Sequence, residues 1–177
     1  DFKWILPEAR YETAGLNASF TSSKDIITLS AQEDDMYIDF NASCGIDSFV
    51  ANIAKCQKIF EYEIESKYFD ADTLQEALPK FSCDMRVGKN NLMQQALSAY
   101  NVKMDEMAIN LVNDSTIYMD GHVYGIESGT LVLDTVTLYA TQKDKYISYN
   151  LHVGNRPGTN DEFAQVLGHA IPERDRD

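Results

Sequence analysis

The chain has 177 residues, with 28 acidic and 15 basic side chains, a formal net charge of −13 and 44% hydrophobic residues. That length suffices for one hydrophobic core without staples, so a single domain over 1–177 is expected. The acidic balance, without a Lys/Arg cluster, leaves no footprint for phosphate backbones and excludes nucleic acid as a partner. The acids are dispersed, as in Glu33-Asp34-Asp35 and the Glu61/Glu63/Glu65 set, which reads as a solvated surface.

From Ala9 to Ser43 apolar and polar residues alternate as in half-buried strands. Leu16, Ala18 and Phe20 share one phase, and Ile27/Leu29 and Met36/Ile38/Phe40 repeat it. Between 46 and 100 the period changes. Phe49, Ile53, Cys56, Phe60 and Ile64 step by four, three, four and four, which lines one face of a helix capped by Asp47 or Ser48. A second short helix fits Thr73–Leu78, where Asp72 with Gln75 resembles a capping box and Pro79 ends it. Phe81–Val87 reads as a strand, and Asn90–Tyr100 as a third helix carrying Leu92, Met93, Ala96, Leu97 and Tyr100. Over 104–170 the period returns to two. Met107/Ile109/Leu111, Ile117/Met119/Val123, Leu131/Leu133, Val136/Leu138 and Ile147/Tyr149/Leu151/Val153 predict at least five strands, and Phe163–Ala170 one more. Asn155–Gly158 reads as a turn, and the tail from Pro172 is expected to fray.

An internal repeat links the two β zones. Ile27-Thr-Leu-Ser-Ala through Tyr37-Ile-Asp-Phe-Asn41 matches Val136-Thr-Leu-Tyr-Ala through Tyr146-Ile-Ser-Tyr-Asn150. A looser copy runs from Ile109-Asn-Leu to Ile117-Tyr-Met-Asp120. Each copy is strand, polar turn, strand. The expected fold class is therefore α+β: mostly antiparallel hairpin repeats in a curved or partly open sheet, with about three helices inserted mid-chain. Such hairpins keep one apolar face, and three short helices cover little of it.

Little in the chain carries chemistry. His122, His152 and His169 form no metal-ligand spacing, and Cys44, Cys56 and Cys83 match neither a zinc nor a CxxC pattern; buried free thiols are the preferred expectation, with one disulfide plus one free thiol open in an oxidising compartment. Cys83 and Arg86 sit three apart in a strand and face opposite sides, which argues against an activated thiolate. Gly125-Ile-Glu-Ser-Gly129 has the wrong register for a nucleophile elbow, and Gly121, Gly125 and Gly129 read as marks of a bulge or bend. Asn17, Asn41 and Asn113 head glycosylation triplets, which are common by chance and idle in bacteria. No catalytic, metal or cofactor-binding residue is assigned, no cofactor is expected, and the chain reads as a non-enzyme.

The run Phe69-Asp-Ala-Asp-Thr-Leu-Gln-Glu-Ala-Leu-Pro-Lys-Phe-Ser-Cys-Asp-Met-Arg-Val-Gly-Lys-Asn-Asn-Leu92, followed by Gly129-Thr-Leu-Val-Leu-Asp-Thr-Val-Thr-Leu138 and Gln142–Asn155, resembles the TamB (translocation and assembly module) family of the AsmA-like group, as found in Bacteroidetes. The resemblance spans about 10–170. It implies a periplasmic segment of a longer chain, tethered to the inner membrane through a part not present here, with an apolar groove for phospholipid acyl chains. It also implies a role in lipid transport or outer-membrane protein assembly, with neighbouring segments of the parent chain and an outer-membrane barrel protein as partners. The three helices depart from a plain groove, so a cap or spacer is also compatible.

Candidate groove residues are Ile27, Leu29, Ile38, Phe40, Ile109, Leu111, Ile117, Met119, Val136, Leu138, Ile147 and Tyr149. The competing expectation is an ordinary closed core in which these pack against Phe49, Ile53, Phe60, Leu92 and Leu97. Two alternative functions follow: a protein-interaction module that adds strands at an exposed edge, and a small enzyme using Cys83 or an acid pair.

Overall fold

The period-two segments fold as antiparallel strands and the segments of helical period as helices in a computed structural model, which describes residues 2–6, 9–13, 15–66, 70–129, 131–154 and 162–170, with side chains for 15–63, 65, 70–129 and 132–154. The strands are β1 (Phe2–Leu6), β2 (Ala9–Thr13), β3 (Asn17–Ser22), β4 (Ile27–Glu33), β5 (Met36–Ala42), β6 (Phe81–Val87), β7 (Val102–Lys103), β8 (Glu106–Asn113), β9 (Ile117–Ser128), β10 (Leu131–Lys143), β11 (Tyr146–Gly154) and β12 (Glu162–Ala170). The helices are α1 (Ile46–Ser66), α2 (Ala71–Ala77) and α3 (Leu92–Ala99). The expected turn at Asn155–Gly158, the tail from Pro172, and the side chains of Ile64 and His169 lie outside the described residues.

β1 and β2 pair only with each other, whereas nine strands form one antiparallel sheet in the order β12-β11-β10-β9-β8-β6-β5-β4-β3. The two-residue β7 joins the outer part of β9. β3 and β12 stand at opposite ends of the strand order, so the sheet is open. The α+β architecture of antiparallel hairpins with helices in the middle of the chain follows the sequence pattern. The pairing of β6 does not follow from it. Lying between two helices in the chain, β6 inserts between β5 and β8 and joins the two β zones into one sheet.

The repeated hairpins differ at their turns. The first closes through Asp34-Asp35 between Glu33 and Met36, and the second through Asp144-Lys145 between Lys143 and Tyr146. The first loop residue in each is left-handed, Asp34 at φ 45° and Asp144 at φ 53°, a conformation aspartate tolerates better than most residues. The second turn is thus one residue later than the repeat alignment places it. Sliding a turn by one residue changes the sum of paired numbers by two, so every side chain keeps its face.

The helices occupy the two margins formed by the strand ends. At the Asn113 margin, α2 ends against the β8–β9 turn, where Lys80 pairs with Asp114 at 2.7 Å. The first turn of α2 meets the β10–β11 turn, with Ala71 N–H donating to the Lys145 carbonyl and Gln142 Nε2 to Asp72 Oδ1. At the Asp35 margin, α3 packs on the buried cluster of Met36, Val87 and Met104 through Met93 and Leu97.

Each helix start differs from the sequence expectation. α1 begins at Ile46, with Phe49 N–H donating to the Gly45 carbonyl, so Asp47 lies in its first turn and neither Asp47 nor Ser48 caps it. α2 is capped by Asp70, whose side chain accepts from Asp72 N–H, two residues before the expected cap. Asn91 caps α3 by accepting from Gln94 N–H.

Candidate functional site

The cross-strand registers place all twelve candidate residues on one face of the sheet. One central row runs Phe20, Leu29, Phe40, Cys83, Leu111, Met119, Ala140, Tyr149. The next row runs Ala31, Ile38, Met85, Ile109, Gly121, Leu138, Leu151. Ile27 and Ile117 lie toward the Asn113 margin, as does Ile147, paired with Gln142. Val136 lies toward the Asp35 margin with Val123 and Val153. Ile27 is buried at 5% exposure, while the other eleven are half-buried.

The helices approach this face from the margins and reach its central rows at Phe40, Ile38 and Met85. Phe49 of α1 meets the face at Phe40 and Phe81, with centroid separations of 5.4 and 5.9 Å and edge-to-face geometry. Beyond it, Ile53 is 42% and Phe60 48% exposed, so the closed core that would have used them is not formed. Leu97 does pack inward, at the Asp35 margin, on the same core cluster that takes up the candidate residue Ile38 and its neighbour Met85.

Sequence reading left Cys83, Met85 and Ala140 out of this face, and placed Leu151 in its phase without counting it among the groove residues. Their signal was the parity they share with Phe81, Leu138 and Tyr149 within strands already recognised.

The opposite face is polar. Asp39, Asp84, Asn110, Asp120, Tyr139 and Asn150 form one of its rows. His122 lies on this face too, 3.4 Å from Glu106 and stacked on Tyr124 at 4.6 Å.

The three cysteines are free. Cys83 faces the apolar side and Arg86 the polar side, as their spacing requires. Burial pushes the Cys83 thiol pKa up, and the charges of Asp84 and Asp39 add to it. Burial also raises Cys44 and Cys56. Each thiol is thereby held further from the thiolate a nucleophile needs.

Asp35, read from sequence as a solvated turn residue, organises the Asp35 margin. Its carboxylate accepts from Asn90 N–H at 3.0 Å and Asn91 Nδ2 at 2.6 Å, and its carbonyl from Gly88 N–H at 3.1 Å. Desolvation would raise its pKa, but the hydrogen bonds to the carboxylate, from Asn91 and the backbone of Asn90 foremost, outweigh it and hold the group below the usual carboxylate range.

Among the described residues no helix is long and apolar enough to cross a membrane, and no group of three His, Cys, Asp or Glu side chains is placed to hold a metal ion. The fold and this face define a chain with an open antiparallel sheet, one side apolar and for the most part half-buried. Comparison with protein-family models, with curated proteins and with solved structures found no match.

Proposed function

We propose that this chain is a non-catalytic, periplasmic segment of a TamB-like envelope protein whose apolar sheet face holds phospholipid acyl chains. It acts in lipid transport between membranes or in outer-membrane protein assembly. The observation that carries the reading is the pair of central apolar rows from β4 to β11, half-buried apart from the buried Ala31 and Gly121, with helices reaching them only at Phe40, Ile38 and Met85. Monomeric proteins seldom leave a contiguous apolar patch beyond a few hundred Å² without a use for it.

The scale suits the ligand. Eight strand spacings of about 4.8 Å make the sheet roughly 38 Å across, and an acyl chain reaching halfway through a bilayer core about 30 Å thick needs about 15 Å. Burial of the chain contributes about 0.8 kcal/mol per CH₂ without any specific polar contact. In this reading the tether to the inner membrane, the neighbouring segments and the barrel partner belong to the parent chain.

Native mass spectrometry with lipid extraction, on protein expressed in a bacterial periplasm, tests the proposal. Co-purifying phospholipid that disappears when Ile38→Asp, Ile117→Asp and Ile147→Asp are combined in a variant that still folds would support it. A stable lipid-free chain would overturn it.

A second reading, a module that adds strands to a partner, draws on β3. Asn17–Ser22 is exposed at every position, lacks any charge, and ends the sheet with Phe20 59% exposed. Natural edges normally carry lysine, proline or inward charge to prevent such pairing. Concentration-dependent association that Ser19→Lys abolishes, in protein free of lipid, would favour this reading.

A further inference from the structure

The course of α1 follows from its two attachments. It leaves β5 at Ile46, and near its far end the Glu63 carboxylate accepts from the N–H of Asp70, the cap of α2. The first turn of α2 is held on the β10–β11 turn. The helix therefore crosses the strand ends from β5 toward β10, four strand spacings or about 19 Å away. From Ile46 to Glu63 it rises about 26 Å, which suffices.

Its side chains fall in three arcs. Phe49, Asn52, Cys56, Ile59 and Glu63 share the inward arc, all part-buried or buried, whereas Asp47, Lys55, Lys58, Glu61 and Glu65 form the polar one. Between them run Ile46, Val50, Ile53 and Phe60, all more than 40% exposed. Phe60 is eleven residues beyond Phe49 and only about 20° from it around the helix axis. The helix thus rests inward through Phe49, Cys56, Ile59 and Glu63, while the flank carrying Ile53 and Phe60 stays uncovered as it passes toward β10.

We infer that α1 is the movable second wall of the groove, rolling about its own axis between the Phe40–Phe49–Phe81 contact and the Glu63–Asp70 hydrogen bond so that Ile53 and Phe60 close over a phospholipid acyl chain. This rests on the lipid reading above. Ile53 and Phe60 pack on one side of the chain, and Leu111, Met119 and Leu138 on the other. An acyl chain fits this gap better than a peptide. Apart from Cys83 and Tyr149, the two central rows from Leu29 to Leu151 offer no polar side-chain group, so a buried peptide backbone would be left with unmet hydrogen bonds.

The test uses nitroxides on Lys58→Cys and Thr137→Cys, with the three native cysteines replaced by alanine. The distance between them is measured by pulsed electron resonance before and after loading from mixed phosphatidylethanolamine–phosphatidylglycerol vesicles. Bound lipid is counted by native mass spectrometry. With lipid, the distance distribution is expected to narrow and move by several ångströms. Phe60→Ser, at an exposed position that leaves the fold intact by circular dichroism, is expected to lower lipid retention about tenfold. Bound lipid with an unchanged distance and undiminished retention in Phe60→Ser would overturn the closing wall and leave the groove standing. Absence of bound lipid in the parent protein would remove the groove itself, and the wall with it.

Discussion

The side-chain amide of Asn113 donates to the carbonyl oxygen of Pro79 at 2.8 Å, and this contact fastens the end of α2 to the β8–β9 turn. Longer contacts reach the carbonyls of Leu78 and Gln75 at 3.4 and 3.5 Å, and Asn113 is only 1% exposed. Asn113→Ala leaves those carbonyls without this donor, and the expected loss of stability is about 1–3 kcal/mol by urea unfolding. Asn113→Asp is expected to cost more, because a carboxylate would face the same carbonyls. A glycan on Asn113 is incompatible with this packing, although the triplet fits the acceptor pattern.

Phe49 anchors α1 on the sheet through Phe40 and Phe81. Phe49→Ala removes both edge-to-face contacts, and half-burial places the expected cost at roughly 2–3 kcal/mol, below that of a fully buried phenylalanine. Amide hydrogen exchange in α1 is expected to accelerate well beyond that in β8 and β9. Equal acceleration everywhere would mean that the helix is not a separately anchored element.

Acid titration separates two carboxylates of opposite sign. The Asp35 pKa is lowered in the fold, so its contribution is present above the unfolded value of about 3.9 and lost as pH falls through the lower folded value. The Glu63 pKa is raised, first by burial and also by the Asp70 charge, although the Asp70 N–H bond opposes this. It therefore disfavours folding above its folded value, and that penalty fades on acidification. Asp35→Asn is expected to flatten the fall in stability below about pH 4. Glu63→Gln is expected to remove the gain in stability that acidification brings as pH falls from the raised folded value to the unfolded one of about 4.3, above the Asp35 range. Thermal melts across both ranges check both signs.

Cys83 reports on the face directly. In a variant retaining only this cysteine, N-ethylmaleimide is expected to react slowly at neutral pH and faster as pH rises, because burial raises the thiol pKa. Phospholipid from mixed vesicles is expected to slow the labelling further. Labelling insensitive to lipid, while lipid is demonstrably bound, would place the ligand elsewhere.

Much of the sheet was legible because parity is local. Leu29, Phe40, Leu111, Met119 and Tyr149 share a phase within their strands, and each antiparallel register then carries that phase to the next strand. The pairing of β6 was hidden because it joins Met36 to Val87 and Met107, across a helical segment that nothing in its own sequence spans. At α2, Asp70 and Asp72 both suit a cap. A glutamine seventy residues away decides, since Gln142 engages the Asp72 carboxylate and leaves the capping role to Asp70. For α1 the periodicity identified an apolar side, but it could not show that Ile53 and Phe60 would remain without cover.

The position of β6 also bears on how the protein folds. Its hairpins β4–β5, β8–β9 and β10–β11 close over short turns and can form within microseconds, as isolated hairpins do. Joining β5 to β6 requires closing the segment from Ser43 to Lys80, which must order its helices or loop out before the first ladder bond is made. The rate-limiting barrier is therefore expected at this seam, where two preformed half-sheets meet on one strand. Substitutions along Phe81–Val87 should slow folding, while those in the outer strands should mainly speed unfolding.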